Sequence, residues 1–351
     1  MSISLPTIQR KYNTQSKCIA YLEKLRWGRI VLSPFTCKPN VTKREGTYKY
    51  HCNDTNRDFT VMYGTIFQDT RLPLPTWFRI IAQMLNAKKG IASAQIMRNE
   101  GISYKTAWYT QMRIRCAMID PDLELEGMLE MDEAFAGGKP KKVYRKNTDD
   151  SEANLSMVTH KRGRGTKKTP FVGISEKRGK VATKVIHTLS SRNLMAMLKR
   201  YVELEESAVI TDGFRSYKAF DKVIDHITIT KRQKLMPKGM LNTATLDSFF
   251  SIVKKGIPGN YVVISKKYLP FYLIEFQYKF NNRHTEKGAF EKLLQQAVCD
   301  EKEMLYYKPV KQVRTIVYPK KKSAKVRARM DRAIVNGKVV SKKLTINKIE
   351  N

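Results

Sequence analysis

An aspartate sits inside an apolar strand. In Gly127-Met-Leu-Glu-Met-Asp-Glu-Ala-Phe135, Asp132 interrupts a segment that otherwise reads as a sheet strand over 128–135. A second acid, Asp212, follows the short buried strand 207–211 and precedes Gly213, so a carboxylate ends a strand where a glycine lets the backbone bend. A third, Asp247, opens an amphipathic helix over 247–255. Residues 128–290, which contain all three, read as an α/β domain with a hairpin over 171–186 and helices over 192–204 and 267–280. Hard cations such as Mg²⁺ take oxygen ligands and keep several waters. Two of them about 3.5–4 Å apart clamp the attacking and leaving oxygens of an in-line phosphoryl displacement. Each acid by itself also fits a turn or a cap. Together, on two strands and a helix, they point to a two-metal site. Lys254 shares the helix face of Asp247 two turns on and would hold a DNA phosphate there, while a solvated lysine, like its neighbour Lys255, accounts for the same spacing.

Charge sets the partner. The chain has 351 residues, with 66 Lys and Arg against 32 Asp and Glu, a net charge of +34. A surplus of this size makes the compact state repel itself unless a polyanion is near, and phosphates reward Lys and Arg by counterion release. Ribosomal and membrane-surface proteins share this composition. No apolar run reaches the ~18 residues of a membrane span, and the first residues carry no secretory pattern. Five cysteines without framework spacing suit a reduced, cytoplasmic protein, and a DNA partner would make it nucleoid-associated. At 42% hydrophobic residues there is enough apolar material for real cores, and the length suits two or three domains.

Ahead of the α/β domain lie two small modules. Cys18, Tyr21, Leu22 and Leu25 give a first helix its apolar face, and Trp27-Gly28 ends it. Short strands are expected over 29–32, 47–52 and 58–62, completing a module over 1–63. Residues 64–119 read as three helices: one begun by Pro75 or Thr76, a second over 92–98, and a third after the Asn99-Glu100-Gly101 turn with Ser103 as N-cap. A helix, a glycine turn and a helix can set a recognition helix in the DNA major groove, with Tyr104, Lys105, Tyr109 and Arg113 facing the duplex. An ordinary three-helix bundle has the same pattern. An acidic linker covers 120–129. The stretch 139–169 is basic and glycine-rich and reads as a loop on nucleic acid, and 291–351 as a basic C-terminal extension.

The chain resembles bacterial insertion-sequence transposases of the ISXO2-like group. The resemblance rests on Tyr63-Gly64-Thr65-Ile66-Phe67-Gln68-Asp69, Lys89-Gly90-Ile91, Ser103 to Trp108, Glu130-Met131-Asp132-Glu133 with Gly137-Gly138-Lys139, Thr211-Asp212-Gly213 with Tyr217, Ser248-Phe249-Phe250 with Lys254-Lys255-Gly256-Ile257, and Phe280-Asn281-Asn282-Arg283. It implies a multidomain α+β chain: a zinc-ribbon-like module, a helix-turn-helix and a ribonuclease-H-like α/β catalytic domain. It implies Asp132 and Asp212 as metal-binding acids and Asp247 at a third position that is commonly Glu. It implies two Mg²⁺, with Mn²⁺ as a substitute, double-stranded DNA as partner and a homo-oligomer on that DNA. Lys254 matches the group's basic residue after the third acid, and His226 a histidine after the second. The ribbon departs from the pattern. Ser33, Thr36 and Thr55 stand at zinc-cysteine positions, which leaves Cys52 alone of four. Hydroxyls are poor zinc ligands beside thiolates, so a metal-free ribbon held by Phe35, Tyr48, Tyr50 and Phe59, with Phe67 and the first helix closing over it, is expected. Cys37 and His51 are the substitute ligands if zinc is bound. The activity expected is binding of terminal inverted repeats, phosphodiester hydrolysis and strand transfer. The competing expectations are a catalytically inactive relative that acts as a DNA-binding repressor, and a nuclease without strand transfer.

Overall fold

A computed structural model describes residues 4–137, 144–146, 155–157, 166, 168–229, 243–284 and 288–298. Most of the basic stretch 139–169, and the chain beyond residue 298, lie outside the described residues.

The N-terminal body is helical. Helix α1 (Leu5–Lys11) is capped by the Ser4 hydroxyl and α2 (Gln15–Trp27) by that of Thr14, each accepting an orphan backbone N–H. Gly28, at φ 64°, ends α2 as the sequence implies. Helices α3 (Leu74–Asn86), α4 (Ser93–Glu100) and α5 (Tyr104–Ala117) follow. Gly101 adopts the left-handed conformation between α4 and α5, and the Ser103 hydroxyl caps α5 by accepting from Thr106 N. Leu22, Phe67, Trp77, Phe78, Ile81, Ile96 and Ile114 build the core. A late helix, Ala289–Val298, adds Phe290, Leu293 and Leu294 to it, so the start of the C-terminal extension packs with the N-terminal helices.

Strands β1 (Val41–Lys43), β2 (Tyr50–Cys52) and β3 (Arg57–Phe59) form a small antiparallel sheet. Residues 29–32 are not a strand. Val41–Lys43 takes the edge instead, pairing Val41 with Cys52. Aromatic packing is present, with two corrections. Trp27, Phe35, Tyr50, Phe59 and Tyr63 pack together, whereas Tyr48 is 47% exposed because it lies before β2 begins, facing solvent. Phe67 packs edge-on to Trp77 in the helical core, so Trp27 of α2 closes over the small sheet in its place.

The second body is a mixed five-stranded sheet in the order β10-β9-β4-β7-β8. Its strands are β4 (Leu125–Ala136), β7 (Thr169–Glu176), β8 (Val181–Val185), β9 (Val202–Asp212) and β10 (Asp225–Ile229), while β5 (Tyr144–Lys146) and β6 (Leu155–Met157) pair separately. Strands β4, β7 and β8 run antiparallel in turn, and β9 and β10 run parallel to β4 and to each other. Both β4 and β9 start several residues before the apolar runs suggest, so the expected acidic linker shortens and its end becomes strand.

Helix α6 (Ser191–Tyr201) and the 3-10 helix Arg215–Lys222 cover one face, packing Leu194, Met197, Leu198 and Tyr217 on Leu129, Met131, Ile174 and Val209. Helices α7 (Ala244–Gly256) and α8 (Leu269–Asn281) cover the other, where Leu246, Phe249 and Phe250 meet Ala134, Phe171 and Val181. Gly173 pairs with Asp132 across β4 and β7. A Cβ there would come within 2.6 Å of Leu246 Cδ1 and 3.1 Å of Phe250, so with any other residue here those side chains of α7 must shift.

The two bodies share a buried charge cluster. Arg115 of α5 donates to Glu275 of α8 at 2.8 Å, and both are almost fully buried. Lys279 pairs with the other oxygen of Glu275 and also donates to the Ala87 carbonyl at 2.9 Å. The Arg115 guanidinium stacks 3.9 Å from the Tyr272 ring.

Candidate active site

Parallel pairing aligns β4 with β9 up to Glu130 and Ile210. Asp132 and Asp212 each lie two residues beyond that pair. One ligand atom each from Asp132, Glu133 and Asp212 falls within 4.8 Å of the others, the group of metal-competent side chains found among the described residues. All three are half-buried. Carboxylates this close repel one another unless a proton or a cation intervenes. The donor set is all oxygen, which fits a hard divalent ion, and these three residues would hold it.

The parts that orient the acids can be named. The Asp132 Oδ1 accepts the Glu133 amide at 2.9 Å, and the Asp212 Oδ1 accepts the Phe214 amide at 3.1 Å, across the turn at Gly213. Glu133 accepts from the Tyr217 hydroxyl at 3.0 Å. Tyr217 is fully buried. Burial, then the carboxylates of Glu133 and Asp132, raise its phenol well above the ordinary value, so it stays a donor. Behind Asp212, the buried Thr211 hydroxyl lies 2.7 Å from His226 Nε2, and Asp221 sits at the other ring nitrogen.

Glu133 and Tyr217 stand in the sequence motifs that carry the resemblance, but the sequence assigns neither a role at the site. Strand alternation puts Glu133 on the α6 face, opposite Asp132, and so argues against their acting together. They nonetheless come within reach of one ion where β4, still paired with β7, has run past its pairing with β9. The adjacent Asp132-Glu133 pair beside a far-off Tyr217 was the available signal.

Asp247 is exposed in the first turn of α7 and stands outside the three-carboxylate group. Its Oδ2 accepts from the Thr243 hydroxyl at 3.1 Å. Lys254 and Lys255 are exposed in the last turn of the same helix, with Lys254 Nζ 5.7 Å from the Phe250 ring. Of the expected DNA-facing residues, Tyr104 is 55% exposed and Lys105 is exposed at the start of α5. Tyr109 is half-buried. Arg113 turns back into the helical body and donates to the Gln68 carbonyl at 2.6 Å.

In the small three-stranded sheet, the Ser33 and Thr55 hydroxyls beside the buried Cys52 thiol bring it down to about 7. Cys37 is exposed. His51 lies 2.7 Å from Asp58 and 3.1 Å from Arg44, engaged away from Cys52. No helix among the described residues is long and apolar enough to cross a membrane.

A family model described as the ISXO2-like transposase domain matches residues 124–281, the whole of the mixed sheet and both helices on the α7 face. An uncharacterised protein in transposable element ISH50 of Halobacterium salinarum is 27% identical over 221 residues, 61% of this chain and 72% of that protein. Among solved structures, a pre-cleavage Mos1 transpososome is 11% identical with a TM-score of 0.28, covering 87% of this chain and 98% of that one. The Mos1 mariner paired end complex with Mn is 12% identical with a TM-score of 0.25, covering 83% and 94%. Neither superposition is close enough to transfer a residue. Residues 124–281, with the acid-bearing strands and helix inside the match, are thus similar to the ISXO2-like transposase domain.

Proposed function

We propose that this transposase binds the terminal inverted repeats of its element, hydrolyses a phosphodiester to free a 3′-OH, and joins that 3′-OH to target DNA. The observation that carries the reading is the meeting of Asp132, Glu133 and Asp212 at the open end of two parallel strands inside the transposase-matched segment. The sheet supports a ribonuclease-H-like assignment: counted along the chain its strands lie in the order 3-2-1-4-5, three antiparallel and two parallel. Divalent ions bound by Asp132, Asp212 and Asp247, Mg²⁺ or Mn²⁺, would activate the attacking oxygen and stabilise the leaving oxyanion. Glu133, held by Tyr217, adds a further carboxylate at the edge of that set. Lys254 and Lys255 sit on the helix of Asp247, where they would hold the phosphates flanking the cut. Tyr104 and Lys105, exposed at the N-terminus of α5, would read the ends as part of a helix-turn-helix. A homo-oligomer would bring two ends together.

The test is strand transfer on the element's own ends with Asp132→Asn, Asp212→Asn and Asp247→Asn. Each should lose about 10²–10³-fold or more in cleavage while end binding persists. The position of Asp247 outside the three-carboxylate group favours a second reading, a non-cleaving DNA-binding relative. End binding by the wild-type chain without any metal-dependent cleavage would establish that reading and overturn the first.

A further inference from the structure

Glu130 is the most deeply buried carboxylate beside the site, at 0% exposure, and it has no place in the chemistry above. It lies on β4 two residues before Asp132, and alternation points both toward α7. Its Oε2 accepts the Leu246 backbone N–H at 2.9 Å. Its other oxygen lies 3.4 Å from Lys177 Nζ. Leu246 is the third residue of α7, where an N-cap side chain ordinarily satisfies the orphan amide. The residue in the N-cap position, Thr243, makes no such bond. Its hydroxyl goes to Asp247 instead. The cap of α7 is therefore supplied by a strand of the sheet. A second tie lies close by, since the Thr245 hydroxyl accepts the Arg178 backbone N–H at 3.0 Å from the β7–β8 turn.

We infer that Glu130 is a positioning residue for the transposase site: by capping α7 from β4 it fixes the height and register of Asp247 relative to Asp132. Both acids hang from the two elements this one bond joins. A negative charge at a helix N-terminus is favourable in itself, since it meets the positive end of the helix dipole. The bond also ties the level at which α7 starts to the sheet, because it is the Leu246 amide in the first turn that Glu130 accepts. The inference rests on the reading of Asp247 as the third acid.

The experiment compares Glu130→Gln, Glu130→Leu and Asp247→Asn in the full-length protein, using end cleavage titrated with Mn²⁺, end binding and thermal unfolding. Gln keeps an acceptor for the Leu246 amide, and its cleavage and Mn²⁺ dependence should stay within about threefold of wild type. Leu removes the acceptor. It should raise the Mn²⁺ concentration for half-maximal cleavage by about 10–100-fold, the usual cost of losing a group that orients a ligand, with end binding unchanged. If Glu130→Leu merely lowers the unfolding temperature and leaves the Mn²⁺ midpoint of its folded fraction at the wild-type value, Glu130 is structural only and the inference fails. If Glu130→Gln shifts that midpoint as far as Leu does, the charge acts directly and the capping role is overturned. Full activity in Asp247→Asn overturns the underlying reading of the third acid, separately from either outcome at Glu130.

Discussion

At Gly173 one missing methyl group decides how a helix meets a sheet. The pairing of Gly173 with Asp132 puts the smallest residue under Leu246, one position from Asp247. Gly173→Ala should therefore push α7 outward, destabilising the protein by about 1–3 kcal/mol, as overpacking does, and lowering cleavage more than end binding. Urea unfolding and single-turnover cleavage check this; an alanine variant of wild-type stability and rate would show that α7 has slack. Such contacts were not legible in the sequence. Asp132 and Asp212 could be read there, because an acid in an apolar strand and an acid before a glycine are local anomalies. Glu133 could not, because its role depends on how far β4 outruns its neighbour. Glu130 reads in sequence as one more strand residue, and its partner is an amide that any residue at 246 would supply.

At the level of elements, helices were far easier to read than short strands. Ser103 and Gly101 announce α5, and Gly28 the end of α2, because caps are chemistry carried by single residues. The ribbon strands are three residues each and carry no periodicity, so the edge strand Val41–Lys43 was hidden and Tyr48 was misplaced into the core. We propose that the ribbon is ordered without metal. Cys52 is buried in the cluster where Trp27, Phe35, Tyr50 and Phe59 pack edge to face. A structural zinc would contribute folding energy outright. Chelators should accordingly leave the unfolding temperature where it is, and protein purified without added metal should carry no stoichiometric zinc. Elemental analysis giving one zinc per chain would defeat this view.

For the whole molecule, the shared charge cluster couples the DNA-binding expectation for α5 to the sheet. Burial alone would push the Glu275 carboxyl up; the charges of Lys279 and Arg115 outweigh it and hold the group below its ordinary value. A carboxyl depressed in the folded state stabilises fully above its unfolded pKa, about 4.3, and that contribution fades as pH falls through the folded value. Stability should thus fall in acid below about pH 4.3, and Glu275→Gln should flatten that limb. The same substitution should cost about 3–5 kcal/mol at neutral pH, because it leaves Arg115 and Lys279 without their counter-charge. Equilibrium unfolding across pH measures both, and an unchanged acid limb in the variant would place the pH sensitivity elsewhere.

The Arg115–Glu275–Lys279 cluster also works as a ruler. Glu275 ties α5 to α8, and Lys279 ties α8 to the end of α3 through Ala87. If these ties hold α5, α8 and α3 together, the exposed start of α5 and the acid-bearing part of β4 should keep one separation and one angle. The phosphodiester that is cut should then lie at a constant helical phase from the bases that are bound. Inserting about 5 bp, half a turn of duplex, between those bases and the element's terminus should leave binding intact and abolish cleavage at the terminus. About 10 bp restores the face of the helix but shifts the distance, so cleavage should move inward into the inserted DNA. Cutting that still tracked the terminus after either insertion would mean that the two bodies move independently.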